Sequence, residues 1–261
     1  GTGGILEGNL DDAIINVNLD PVLDFDHDND HITVANHSSI SVTQVTFSAW
    51  FKTPDVTDVT NDYLTIYDDR HDTNGNGFFV GIYDVSQKMM FYNGLADGPE
   101  INILSDDAIP INTWMHVACT IDKIGDASKM YINGVLQATT DGGNGFVAST
   151  NAKKIGKNAY SDIRYWNGSL ADIRIYDTVL SAANIQVLAS KINIDSSLGA
   201  GTTNLQAWWK LDEGTGTSAA DSSSNSNTGT LTNFTGTYWN FGEFSVNVQD
   251  NTTTTDGAVT V

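Results

Sequence analysis

Cysteine, proline, glutamate and basic side chains are all scarce in these 261 residues, and each shortage narrows what the chain can be. One cysteine, Cys119, excludes a disulfide framework, so stability rests on the core, the sheets and any bound metal. It lies in the apolar run His116-Val117-Ala118-Cys119 and reads as a buried small hydrophobe, not a nucleophile. Lys and Arg total 12 against 32 Asp and Glu, a net charge of −20. That field repels phosphate, which argues against nucleic acid or any polyanion as partner and leaves neutral glycans, cations and protein surfaces. No window approaches the roughly 18 apolar residues of a membrane helix, so no membrane insertion is expected. Gly1-Thr2-Gly3-Gly4 lacks both Met and a signal peptide's basic start, as expected of a processed or partial chain. Glutamate is confined to Glu7, Glu100, Glu213 and Glu243; the other 28 acids are Asp. Asp favours turns, caps and oxygen-rich cation sites over helix interiors.

Apolar material is ample, at 40% of residues with 10% aromatic, and it falls in short runs between turn residues. Val45 to Phe51 alternates with period two, and Trp114 to Ile121 and Lys129 to Ile132 are further short strand-like runs. Tyr63–Tyr67 and Phe78–Tyr83 flank Asn74-Gly75 and Asn76-Gly77, which reads as a hairpin. Asp72 to Gly77 also copies half of an EF-hand loop, but Tyr83 stands where the bidentate Glu is needed. One stretch, 181–189, has helical spacing, with Ser181 as N-cap. The expected organisation is an N-terminal arm or edge strand over 1–22, a β-sandwich over 23–190 and a linker over 191–204. Residues 205–261 supply a further strand and a C-terminal arm.

Several segments resemble laminin G-like domains of the concanavalin A-like lectin/glucanase superfamily. They are Leu23 to Val34, Phe47 to Lys52, Asn112 to Ala118, Met130 to Gly134 and Trp166 to Asp177, in the family's order. The resemblance implies an all-β jelly-roll sandwich of two antiparallel sheets with one short helix near 181–189. Phe25, Phe47, Trp50, Trp114, Val117, Tyr131, Ile173 and Ile175 are then expected in the interior. Trp208 to Gly216, with Asp221 to Leu231, resembles the family's first strand, which here follows the helix instead of opening the domain. A permuted domain, or the start of a second module, accounts for that order. In the permuted case Leu205 to Leu211 pairs beside Leu170 to Tyr176 and completes the sandwich.

The candidate sites follow from residue chemistry and from the resemblance. Asp24, Asp26, Asp28, Asn29 and Asp30 either ligate Ca²⁺ or form a solvated turn before a strand. The resemblance adds Asp172, which in such domains can hold structural Ca²⁺. Asp26, Asp30 and Asp172 are therefore the expected Ca²⁺ ligands. Tyr160, Tyr165, Trp166, Trp209 and Trp239 fall near loops or strand ends and are candidates to stack on sugar rings. Glycanases of the superfamily use Glu-x-Asp-x-Glu on one strand, and this sequence has no such triplet. The expectation is a non-catalytic recognition or adhesion module, glycan-binding, outside a cell or on a virion surface. The alternatives are a structural decoration, fibre or filament subunit whose arms bind neighbouring protein subunits, with homo-oligomers, and, less favoured, a glycan-active enzyme.

Overall fold

A computed structural model describes residues 21–55, 63–70, 76–83, 85–94, 101–159, 162–193 and 202–241. The first strands are β1 (Pro21–Asp26), β2 (His31–Val34), β3 (Val45–Lys52), β4 (Tyr63–Asp68) and β5 (Phe79–Tyr83). Then come β6 (Lys88–Asn93), β7 (Ile101–Ala108), β8 (Met115–Asp122), β9 (Ala127–Ile132) and β10 (Val135–Asp141). The last are β11 (Lys153–Ile155), β12 (Asn167–Tyr176), β13 (Leu205–Trp209), β14 (Ser218–Ala219), β15 (Gly229–Thr232) and β16 (Trp239–Phe241). A single α-helix among the described residues, α1 (Ala182–Leu188), starts where the Ser181 hydroxyl accepts the Asn184 amide.

The strands form two antiparallel sheets, as expected. One runs β10-β9-β8-β3-β12-β1-β16, and the other runs β14-β15-β2-β11-β4-β5-β6-β7. Period-two alternation decides which side chains meet between them. Phe47, Ala49 and Phe51 of β3, Val80 and Ile82 of β5, and Met89 and Phe91 of β6 all point into one apolar cluster. Each of these apart from Ala49 contributes roughly 1.5–3 kcal/mol by its burial. Asn133 and Gly134 both have positive φ, which gives the tight β9–β10 turn the twist its flanking strands need.

Of the interior residues expected from the sequence, Phe25, Phe47, Val117, Tyr131, Ile173 and Ile175 are buried. Trp50 and Trp114 are only half-buried, because they lie on the outer side of their sheet against a small cluster of Val22, Ala171 and Ile192. Trp50 there donates to the Leu188 carbonyl at 3.2 Å.

The strand that follows the helix returns to its own sandwich. β13 pairs antiparallel with β12, placing Trp209 opposite Ile173 and Trp208 opposite Arg174. β1 pairs with β12 through residues 167–170. The two therefore occupy one edge of β12 end to end. Between them β12 bulges at Asp172, whose φ is +51°. β15 likewise pairs β2 in the second sheet. The strand itself stops at Trp209, two residues short of the expected Leu211, where φ turns to +59°. Residues 1–20 and 242–261, where an edge strand and arms were expected, lie outside the described residues.

Candidate functional site

The outer face of the second sheet holds a hollow of about 310 Å³, lined by Tyr63, Arg70, Phe79, Met90, Tyr92, Asn102 and Arg164. Strand alternation builds it. While Val80 and Ile82 enter the core, Phe79 and Tyr83 point outward; Met90 and Tyr92 stand out in the same way from β6. The register sets Lys154, Asp68, Phe79, Tyr92 and Asn102 abreast on five neighbouring strands. Residues directly opposite one another share a face. Gly81 lies in the next rank, and a Cβ there would collide with the Leu64 carbonyl and the Phe79 ring. Its lack of a side chain lets that ring lie down over the strand.

Rings and guanidinium groups interleave in the hollow. The Arg70 guanidinium carbon sits 4.9 Å from the Phe79 centroid and 5.2 Å from that of Tyr92. Asp68 fixes its plane, accepting from Arg70 Nε at 3.0 Å and Nη2 at 2.9 Å. Arg164 lies 4.6 Å above the Tyr63 ring, which also stacks on Tyr83 at 5.2 Å. Phe79 is covered, whereas Tyr63 and Tyr92 keep part of their rings exposed. Such a surface offers flat apolar ring faces around a guanidinium whose plane is fixed by Asp68. Asp69 points the other way, into a buried ion pair with Lys153 at 3.1 Å.

A larger cavity, about 580 Å³, lies at the edge of the first sheet among Asp24, Lys52, Asn112, Trp114, Ser169 and Asn240. Its central carboxylate is already engaged, since Asp24 accepts from both Ser169 and Asn240. The smaller hollow has the richer recognition chemistry.

Among the described residues, the aromatics singled out from sequence are not brought together. Trp166 and Trp209 are completely buried and offer no face to a ligand. Trp166 packs edge-on against Phe51, and Trp209 donates from Nε1 to the Asn227 carbonyl at 2.7 Å. Their positions at strand ends suggested exposure, but the inward side of a strand end is still core. Trp239 is half-buried on β16, beside β1. Tyr165 is half-buried near His31 and Lys157. Tyr160 lies outside the described residues. The hollow's own residues escaped the sequence reading, although aromatics on both alternation phases of β5 and β6 were a usable signal.

The three expected Ca²⁺ ligands also separate. Asp172 is buried, and its carboxylate accepts from Arg174 Nε at 2.6 Å, Trp208 Nε1 at 2.7 Å and the Asn193 amide at 2.7 Å. A guanidinium already holds the place that a cation would take. Asp26 and Asp30 share one turn: the Asp26 amide donates to Asp30 Oδ2, and Asp26 Oδ1 accepts the Asp28 and Asn29 amides. Asp30 Oδ1 is buried with no hydrogen-bond partner among the described residues. Burial, and then the Asp26 charge beside it, raise the Asp30 pKa to about 6. A buried acceptor beside a second carboxylate fits a hard cation, so this turn suits Ca²⁺ better than Asp172 does. Among the described residues no three His, Cys, Asp or Glu side chains cluster as a metal site, so backbone oxygens or water would have to complete the shell.

A laminin G-type family model, described as the concanavalin A-like lectin/glucanases superfamily, matches residues 26–186. One similar solved structure is a candidate carbohydrate-binding protein of Bacteroides ovatus, 19% identical with a TM-score of 0.62. That match covers 83% of this chain and 59% of the other, so the chain spans about three fifths of that protein's length. A heptameric SAP-like pentraxin of Limulus polyphemus is 18% identical with a TM-score of 0.51, covering 66% of this chain and 82% of that one. Domain 4 of an extracellular arabinanase from Geobacillus stearothermophilus, in complex with arabinotriose, is 21% identical with a TM-score of 0.50, covering 73% and 82%. At these identities the likeness is one of fold. No curated protein matches the chain.

Proposed function

The chain belongs to the concanavalin A-like lectin/glucanases superfamily, and on that premise we propose that it is a non-catalytic glycan-binding module whose site is the ring-lined hollow. The observation that carries this is the pair of half-exposed rings, Tyr63 and Tyr92, in a hollow that the Arg70–Asp68 pair holds in shape. A sugar ring presents C–H groups on its faces and hydroxyls around its rim, so it matches flat aromatic floors bordered by polar groups. Glycoside hydrolysis needs two carboxyl groups flanking the bond, and the described residues lining the hollow include neither Asp nor Glu. The names of two similar structures, one for carbohydrate binding and one for its bound arabinotriose, agree with this reading. A glycan ligand in turn fits placement outside the cell or on a virion surface. A Ca²⁺ ion held by Asp26 and Asp30 would stiffen the β1–β2 turn; it is assigned no part in contacting the sugar.

The test is a glycan array followed by titration calorimetry on the full chain, with Tyr92→Ala and Tyr63→Ala beside it. Each substitution is expected to weaken binding about tenfold while the unfolding midpoint moves little. A folded wild-type protein that binds no glycan on the array overturns the proposal.

A further inference from the structure

Lys153 is the one buried lysine among the described residues. Two other buried ion pairs, Arg70–Asp68 and Arg174–Asp172, use arginine, which keeps its proton at any ordinary pH. Lysine differs, because a buried ammonium can surrender its proton and become a nucleophilic amine. Lys153 Nζ lies 3.1 Å from Asp69 Oδ2, 3.2 Å from Asn36 Oδ1 and 3.0 Å from the Ser149 carbonyl oxygen. Strand register assembles this group. Lys153 stands opposite Val34 of β2, and Lys154 opposite Asp68 of β4. Asn36, two positions past Val34, reaches in on the side where Lys153 points. The Ser41 hydroxyl donates to Asn36 Oδ1 at 2.8 Å and also lies 3.0 Å from the Ser149 carbonyl oxygen. Asp69 is held from behind, its Oδ1 accepting the Phe78 amide at 2.9 Å. Burial raises the Asp69 pKa even with the Lys153 charge beside it.

We propose that Lys153 and Asn36 join in an intramolecular amide bond, with Asp69 carrying the protons. The interior favours the first transfer: moving the Lys153 proton to Asp69 replaces two buried charges by two neutral groups. Nζ then bonds to Asn36 Cγ, one bond beyond the oxygen it already touches, and the carbonyl electron pair moves onto Oδ1. There the Ser41 hydroxyl donates to the developing negative charge. Asp69 takes a proton from the attacking nitrogen and delivers one to Nδ2. The Cγ–Nδ2 bond breaks and ammonia departs. The amide keeps one proton, ammonia takes three and Asp69 ends protonated, so the step needs no oxidant and no co-reactant. Fixed neighbours supply the encounter that free amine and carboxamide rarely make. Asn36 is exposed, which gives ammonia a way out. The bond would tie the end of β2 to β11 and close a loop between positions 117 apart in sequence. A cross-link over that length restricts the unfolded chain as a disulfide does, in a chain whose single cysteine cannot form one within itself.

The experiment is intact-mass spectrometry of the full chain, folded and held at neutral pH, followed by tryptic mapping. The expected mass is below the sequence value by one ammonia, with a peptide pair joined through Lys153 and Asn36. Asn36→Ala leaves the buried Lys153–Asp69 pair in place and should keep its full sequence mass. On denaturing electrophoresis the wild type, with its closed loop, should migrate faster than this variant. Folded Asp69→Asn should also lack the cross-link, and the wild-type mass decides the matter whether or not that variant folds. An unaltered mass for folded wild type overturns the proposal. So does an ammonia loss that maps to a succinimide at an Asn–Gly pair. Loss of one water, joining Lys153 to Asp69, overturns the assignment of Asn36. Cross-linking in Asp69→Asn as complete as in wild type overturns the part given to Asp69.

Discussion

Replacing Asp172 by Asn isolates the charge at the junction of three strands. Asn tolerates the left-handed conformation found there, at φ +51°, so the backbone is spared. What is lost is the counter-charge of Arg174, which is 1% exposed, and one acceptor among four donors: Arg174 Nε and Nη2, Trp208 Nε1 and the Asn193 amide. Burial opposes the Arg174 charge, but Asp172, with Tyr176 beside it, offsets that and raises the arginine's pKa. Removing one partner of a buried pair costs about 3–5 kcal/mol, and an orphaned buried donor about 1–3 kcal/mol, not additively. A loss near 4 kcal/mol is expected, out of a total that for most domains is about 5–15 kcal/mol. Urea unfolding followed by tryptophan fluorescence reads it: with a slope near 2 kcal/mol/M, the midpoint falls by about 2 M. The double variant Asp172→Asn/Arg174→Met, which removes both charges and keeps at 172 a residue that tolerates the left-handed backbone, should recover most of the loss. A midpoint within about 0.3 M of wild type for Asp172→Asn refutes the argument. So does a Ca²⁺-dependent stabilisation of wild type that this substitution abolishes, for then the carboxylate is a metal ligand after all.

Three further outcomes are expected. Burial, and then Arg174 nearby, lower the His116 pKa to about 3. The unfolded chain therefore binds this proton first, and stability drains as pH falls from 6.5 towards 3, by at most about 5 kcal/mol at 1.36 kcal/mol per unit. Urea midpoints across that range should fall more steeply for wild type than for His116→Phe, and equal slopes refute it. Asp30 has the opposite sign. Its raised pKa means the native state holds the proton longer, so its contribution declines as pH rises from about 4 through 6. In Ca²⁺-free buffer at pH 7, Asp30→Asn should stabilise by on the order of 1 kcal/mol once solvent screening is allowed for, and should remove any thermal shift caused by Ca²⁺. A wild-type Tm indifferent to millimolar Ca²⁺ sinks the metal assignment. Finally, ending the chain at Lys191 removes β13 to β16, withdraws Trp209 and Leu231 from the core and bares the edges of β12 and β2. The fragment should aggregate; a monomeric fragment unfolding cooperatively at the wild-type midpoint contradicts this.

Local chemistry made much of the fold legible. The period-two run Val45 to Phe51 and the strand-like run Trp114 to Ile121 became the paired strands β3 and β8, the Ser181 cap started α1, and Asn133-Gly134 turned a hairpin. These signals depend on a few neighbours along the chain, so sequence carries them whole. The displaced strand, expected over 205–211, is placed beside β12 by its resemblance to the family's first strand, and it pairs there over 205–209. Tertiary structure alone decided which aromatics are available. Trp166 and Trp209 look from sequence like Tyr63 and Tyr92, yet the first two are core and the second two stand outside. Alternation states that neighbours in a strand face opposite ways, and it leaves open which phase a second sheet will cover. Asp172 teaches the same lesson in electrostatics. A carboxylate in a strand is a metal ligand or an ion-pair partner according to what faces it, and Arg174 and Trp208 face it only after β13 docks on β12.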